Sequence, residues 1–175
     1  GQMGASRHLP NPVIVIALVA AAWLALAAQP VAAGYSALMM DMRTGAVVEE
    51  RNADMRRQPA SLTKMMTLYL AFEAVRTGQV GLDQKVRVSR RASRQPPSKL
   101  YLKSGQRVTI RHLIRATAVR SANDAAMVLA EAIGGSKRAF AEMMTAKARQ
   151  LGMRSTTFRN PHGLTERGHL STARD

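Results

Sequence analysis

Two short polar runs hold the chemistry this sequence can offer. The first is Ser61-Leu62-Thr63-Lys64, at the head of an apolar run from Met65 to Val75. Read as the start of a helix, it sets a hydroxyl and an amine at i and i+3, on one face. A serine hydroxyl is a poor nucleophile until a nearby base takes its proton. A lysine becomes that base when desolvation or a second cation lowers its pKa. The positive end of the helix dipole would also favour negative charge developing at Ser61. The plainer alternative for the same four residues is a capping serine beside a solvated lysine.

The second run is Ser121-Ala122-Asn123, between two helical patterns, where an irregular backbone can push both polar side chains into a cleft. A hydroxyl and a carboxamide there can relay a proton, hold Lys64 by hydrogen bonds, or bind a substrate amide. Simple capping of the next helix is again the alternative. The pair is more specific than either member, because the chain has one Ser-x-x-Lys and one Ser-x-Asn.

These residues need elements to hold them. Alternation over Tyr35 to Arg51, with Thr44-Gly45 in the middle, predicts a hairpin. Residues 52–60 are a polar loop leading to a helix from Ser61 to about Thr77, stopped by Gly78. A short strand is expected over Lys85 to Val88, an irregular loop over Ser89 to Ser98, and a turn within Tyr101 to Val108. Thr109 caps a helix that breaks at Arg120 to Asn123. A second helix runs from Asp124 to Ile133, and a third, capped by Ser136, ends near Leu151-Gly152. Thr156 to Phe158 reads as a short extended piece, and Ser171 as the cap of one more helix.

Composition narrows the rest. Hydrophobic residues are 46% of the 175 and aromatics 4%, so the core is built of Ala, Leu, Val and Met. Cysteine is absent, which excludes thiolate catalysis, disulfides and Cys-based zinc sites. The net charge of +15 is concentrated: Leu82 to Arg120 holds eleven Lys or Arg against one acid, Asp83. Such a stretch suits an anionic wall polymer or membrane surface, or is simply a solvated face. With Tyr101 its one aromatic, it is not a base-stacking platform, so nucleic acid is not expected as a partner. Residues 1–33 read as an address: Arg7 and His8, an uncharged apolar run from Val13 to Ala28, then the small residues Val31-Ala32-Ala33. A cleaved secretory signal is expected, with an uncleaved anchor as the alternative, and an exported, periplasmic or envelope location for residues 34–175.

The runs have a familiar setting. Ser61-Leu62-Thr63-Lys64-Met65-Met66-Thr67, Ser121-Ala122-Asn123-Asp124-Ala125-Ala126, Phe158-Arg159-Asn160-Pro161-His162-Gly163-Leu164 and Ser171 to Asp175 together resemble the low-molecular-mass D-alanyl-D-alanine carboxypeptidases. These belong to the penicillin-recognising serine enzymes, whose signatures include Ser-x-x-Lys and Lys-Thr-Gly. The resemblance implies an α+β fold of the β-lactamase/DD-peptidase type, of which this chain would supply the nucleophile helix, the helical lobe and the first strands of an antiparallel sheet. It makes Ser61 the acylated nucleophile, Lys64 its general base, Ser121 an assistant in proton transfer and Asn123 a substrate-binding group. The Ser61 N–H would be half of an oxyanion hole. Peptidoglycan stem peptides ending in D-Ala-D-Ala are the implied substrate and β-lactams the implied covalent inhibitors, with no metal or cofactor.

Two departures stand out. The middle residue of the second motif, often Gly in the family, is Ala122, and no Lys-Thr-Gly occurs anywhere. The chain is therefore expected to be an incomplete catalytic domain with little or no turnover. The neighbouring readings are a D,D-endopeptidase or a β-lactamase of the same fold. The rival of another class is a non-catalytic penicillin-sensing or wall-binding module. His162 is expected to serve a structural hydrogen bond rather than act as a base, and Asp124 to support the first turn of its helix.

Overall fold

The computed structural model describes residues 34–175; the expected leader over residues 1–33 lies outside the described residues. The first alternating stretch folds as an antiparallel hairpin, β1 (Ala37–Met40) against β2 (Val47–Arg51). Its turn is wider than Thr44-Gly45 alone. Asp41 Oδ1 accepts the backbone N–H groups of Arg43 (2.9 Å) and Thr44 (2.7 Å). The Gly45 N–H returns to the Asp41 carbonyl at 2.8 Å, with Gly45 at φ +73. An irregularity between Met39 and Met40 absorbs the shift in register.

The chain reaches Ser61 through a single 3-10 turn, Ala60–Leu62, which runs directly into α1 (Thr63–Arg76). Ser61 thus precedes the α-helix that the sequence pattern began with it. Ala60 has a left-handed φ of 47 beside Pro59, and that bend keeps the first turn tighter than α. Thr77 closes α1, and Gly78 follows at φ +75.

Next come β3 (Lys85–Arg87), a one-turn helix α2 (Arg90–Ser93), β4 (Arg107–Thr109), and three longer helices: α3 (Ile110–Arg120), α4 (Asn123–Gly134) and α5 (Lys137–Gln150). β4 pairs antiparallel with β3, Val86 facing Val108. Two differences from the sequence reading arise here. The loop expected over Ser89 to Ser98 contains α2, because the Ser89 hydroxyl accepts the Ala92 N–H at 2.9 Å and caps it. β4, read only as the end of a turn, is three residues with one buried apolar side chain, Val108, too short for alternation to show. The expected caps at Thr109 and Ser136 form, to the N–H groups of His112 (3.3 Å) and Ala139 (3.1 Å).

α4 is the axis of the core. Every residue from Ala122 to Ala130 is buried, so this helix is covered nearly all round. Its alanines admit close neighbours, and Met127, Val128 and Leu129 join Leu70, Leu113, Phe140 and Met144 from α1, α3 and α5. At Gly134, the end of α4, the fit is close: a Cβ there would stand 2.8 Å from Phe140 Cβ.

The last residues do not form the helix that Ser171 suggested. Ser171 instead pairs with Arg57 in an antiparallel bridge, with N–H to O distances of 2.7 and 2.8 Å. Asp175 Oδ2 accepts from the Ser155 N–H and the Thr156 hydroxyl. The bridge holds Ser171 extended against Arg57 instead of at the head of a helical turn. α1 is apolar on a second side as well. Leu62, Met65 and Tyr69, with Leu151, Met153 and Phe158, line an open groove of about 580 Å³. No helix of the described residues is long and apolar enough to cross a membrane. Helices with two short antiparallel ribbons are the α+β class expected.

Candidate active site

Ser61, Ser121 and Asn123 come together. They line one cleft of about 250 Å³, closed on one side by Pro97 and Ser98 and on another by His162, Gly163 and Leu164. Ser61 is exposed to this cleft, and among the described residues its hydroxyl makes no hydrogen bond. As a first-turn residue it also carries an N–H with no acceptor inside the helix, a donor turned toward whatever charge develops nearby.

Lys64 sits one turn deeper and is only 4% exposed. Its Nζ donates to the carbonyl of His162 at 2.7 Å. A neutral carbonyl satisfies one hydrogen without repaying the loss of water, and burial pulls the Lys64 pKa down to about 8. At pH 7 about a tenth of this amine is therefore uncharged and carries a lone pair, and about half at pH 8. The sequence left open whether Ser121 and Asn123 hold Lys64; the contact that holds it comes from the other wall.

That wall is the turn Asn160 to Leu164. The Asn160 side chain closes it from within: Oδ1 accepts the N–H groups of His162 (3.3 Å) and Gly163 (2.7 Å), and Nδ2 donates to the Leu164 carbonyl (2.9 Å) and Glu166 (3.0 Å). Glu166 is fixed in turn by Lys137 at 2.9 Å. The turn meets α1 again where the Thr67 hydroxyl donates to the Pro161 carbonyl at 2.6 Å. Gly163, at φ +89, lets the two backbones touch: a Cβ there would fall 1.8 Å from the Ala60 carbonyl oxygen. His162 Nδ1 accepts the Leu164 N–H at 3.2 Å, so the neutral ring carries its hydrogen on Nε2. Burial, then the nearby Lys64, push its pKa to about 4, so the ring is neutral and has no spare basic nitrogen. Below it His169 is arranged alike, Nδ1 accepting from the Arg159 N–H (2.9 Å) and Nε2–H donating to the Thr63 hydroxyl (2.7 Å).

The opposite wall hangs on the junction of α3 and α4. Ser121, at φ 50, ends α3 in the left-handed region, which reverses the chain and turns its hydroxyl to the cleft. Asn123 Nδ2 donates to the carbonyls of Pro96 (3.0 Å) and Pro97 (3.3 Å), and its N–H to that of Ser98 (2.7 Å). Its Oδ1 is left as the polar atom without a task. Asp124 does more than steady its own helix: it accepts the N–H groups of Leu100 (3.0 Å) and Leu102 (3.0 Å) and shapes the same loop. No motif drew attention to the His162 carbonyl, Gly163 or the loop contacts of Asp124. The family-like Asn-Pro-His-Gly run was the one available signal for the first two. Among the described residues, no three His, Asp or Glu side chains gather as a metal site requires.

Comparison with known proteins identifies the family. The family described as D-alanyl-D-alanine carboxypeptidase matches residues 24–175. The D-alanyl-D-alanine carboxypeptidase DacF of Bacillus subtilis is 40% identical over 140 residues, 80% of this chain and 36% of that protein. The crystal structure of the D-alanyl-D-alanine carboxypeptidase DacD from Francisella tularensis superposes with a TM-score of 0.77 at 40% identity, covering 81% of this chain and 34% of that one. Penicillin-binding protein D2 of Listeria monocytogenes, in its cefotaxime-bound form, gives a TM-score of 0.69 at 34% identity, covering 81% and 57%. The chain spans little more than a third of the curated relatives it matches, 36% in several cases. With a match across most of its length and with the Ser61 cleft on the matching fold, the chain belongs to the D-alanyl-D-alanine carboxypeptidase family.

Proposed function

We propose that this chain is the part of an exported serine-type D-alanyl-D-alanine carboxypeptidase that carries the nucleophile and its base. The observation that carries the reading is Lys64: a buried amine with its pKa drawn down to about 8, held by the His162 carbonyl beside a cleft that also takes Ser61, Ser121 and Asn123. In this reading the uncharged Lys64 amine takes the Ser61 proton as Oγ attacks the carbonyl of the D-Ala-D-Ala bond. The Ser61 N–H steadies the oxyanion, and Ser121 passes the proton to the departing D-Ala nitrogen. Asn123 Oδ1 accepts from the substrate amide. Water then releases the acyl group, and a β-lactam would acylate the same oxygen. Residues 34–175 form this catalytic portion, and residues 1–33 are its leader or anchor.

In this reading the groove of about 580 Å³ along α1 is where further parts of the family fold would pack. Residues 1–175 include no Lys-Thr-Gly, the family segment that in this reading supplies the second oxyanion donor and the contact to the substrate carboxylate. Residues 1–175 taken alone are therefore expected to acylate slowly and to turn over little.

Prolonged incubation with a fluorescent penicillin, followed by mass spectrometry of the Ser61 peptide, tests the reading. The expected result is a Ser61 adduct that forms faster as pH rises toward 8 and is lost in Ser61→Ala and Lys64→Met. No adduct at any pH, with binding to isolated wall retained by Ser61→Ala, would favour the non-catalytic module. Robust release of D-Ala by this chain would refute the need for Lys-Thr-Gly. If an adduct forms, its lifetime separates a carboxypeptidase or endopeptidase from a β-lactamase.

A further inference from the structure

The β3–β4 ribbon has two unlike faces. Val86 and Val108 turn inward and pack on the core. Successive side chains alternate, so Lys85, Arg87 and Arg107 stand on the outer face, all three exposed. The register sets Arg87 directly opposite Arg107. Arg107 Nη2 donates to the Lys85 carbonyl at 3.2 Å, which lays its guanidinium along β3. The Arg87 guanidinium lies beside the Gly105 turn, its Nη2 3.7 Å from where a Cβ on that glycine would be. Among the described residues no acid pairs with any of the three; Asp83, close in sequence, is engaged by Arg111 at 3.0 Å. Like charges at facing positions of an antiparallel pair repel. A strip of three uncompensated cations is thus maintained against its own field, and an anion laid across it relieves that repulsion.

We propose that this outer face docks a linear phosphate-bearing polymer. The sequence suggested an anionic partner somewhere between Leu82 and Arg120; the register narrows it to this strip. Its shape selects the partner. Lys85 and Arg87 are about 7 Å apart along one strand, and Arg107 stands about 5 Å across from Arg87, so the three charges form a compact triangle on one face. Successive phosphates of one chain, a few ångströms apart, can meet all three. The ribbon's apolar side chains face inward, so none enters a bilayer beside the cations, and it has no aromatic on which a base could stack. The inference does not depend on the hydrolase reading, since its test reads binding alone.

Long-chain inorganic polyphosphate is the probe, titrated into the whole chain at several salt concentrations. The chain should bind with an affinity that falls steeply as salt rises. Arg87→Glu with Arg107→Glu should weaken binding by about tenfold or more and lower the salt slope by about 2. Arg51→Glu with Arg76→Glu, the same charge change on exposed residues elsewhere, should leave the salt slope nearly unchanged. If the acidic pair disturbs folding, judged by helical circular dichroism, Arg87→Gln with Arg107→Gln should still lower the slope. Equal losses in the two double variants would overturn the proposal, because net charge alone would then explain binding. So would the absence of salt-sensitive binding, or phosphatidylglycerol vesicles that hold the chain against saturating polyphosphate, which would make the partner a membrane.

Discussion

Two walls face each other across the Ser61 cleft, and each meets a residue with a chemical role proposed for it, but support runs in opposite directions. In the Asn160–Leu164 wall the turn is closed on itself by Asn160 and then holds Lys64 through the His162 carbonyl. Lys64 is held there and holds nothing. In the other wall Asn123 does the holding: its carboxamide and N–H tie down the carbonyls of Pro96, Pro97 and Ser98, while Asp124 takes the N–H groups of Leu100 and Leu102. A motif residue can thus be a dependant of the scaffold or part of it. Its substitution should then show in chemistry in the first case and in stability in the second.

The sharpest break in the first wall is Gly163→Ala. The new Cβ would sit 1.8 Å from the Ala60 carbonyl oxygen, a backbone atom that cannot swing aside, at a φ of +89 that alanine resists. A loss of about 3 kcal/mol or more is expected in urea unfolding. A variant as stable as the parent would mean that the turn and the Ser61 segment do not touch as described.

Lys64→Met separates chemistry from stability. Ser61 acylation should vanish, because the proposed base is gone. The folded-state pKa of Lys64, about 8, lies below the ordinary 10.5, so between these values the unfolded chain binds more protons than the folded one. Stability therefore rises with pH across that window and is lost as pH falls back to 8, by about 3 kcal/mol in all. Lys64→Met should flatten this part of the curve relative to the parent. The same rule applied to His162, lowered from 6.5 to about 4, places a second loss of stability on the acid side. It is present above pH 6.5 and lost as pH falls through 4, and should be absent from His162→Gln.

What could be read from the sequence follows the same division. Ser61, Lys64, Ser121 and Asn123 could be proposed from the sequence because a nucleophile, a base and a polar pair are defined by residue type at short spacing. The caps at Thr109 and Ser136 were visible because a cap is local. The His162 carbonyl was not, since every residue has one and only the fold brings it to Lys64 across 98 positions. The short β4 strand and the Ser171 bridge escaped for a related reason: each is decided by a partner far along the chain, Lys85–Arg87 in one case and Arg57 in the other. Pattern reading finds a side chain with a task; it does not find a backbone atom recruited by tertiary contact.

Asn123→Ala tests the second wall. It removes the carboxamide bonds to Pro96 and Pro97, yet both residues are exposed and water can replace the lost donor. The cost should be about 1 kcal/mol, with faster hydrogen exchange at the Leu100 and Leu102 amides as the loop loosens. A loss equal to that of Gly163→Ala would show that this wall is the more rigid of the two and reverse the comparison.

Ser121→Ala should do least to the fold. The hydroxyl makes no hydrogen bond among the described residues, so its removal takes away no structural contact. The left-handed backbone at φ 50 is already occupied by a residue with a Cβ, so alanine meets nearly the same strain. Stability should stay within about 0.5 kcal/mol of the parent, while any Ser61 acylation that the chain retains slows, because the proton relay across the cleft has lost its hydroxyl. Unchanged stability with unchanged acylation would remove Ser121 from the chemistry and leave the second wall as scaffold alone. A loss of more than 1 kcal/mol would instead place Ser121 beside Asn123 among the residues that build it.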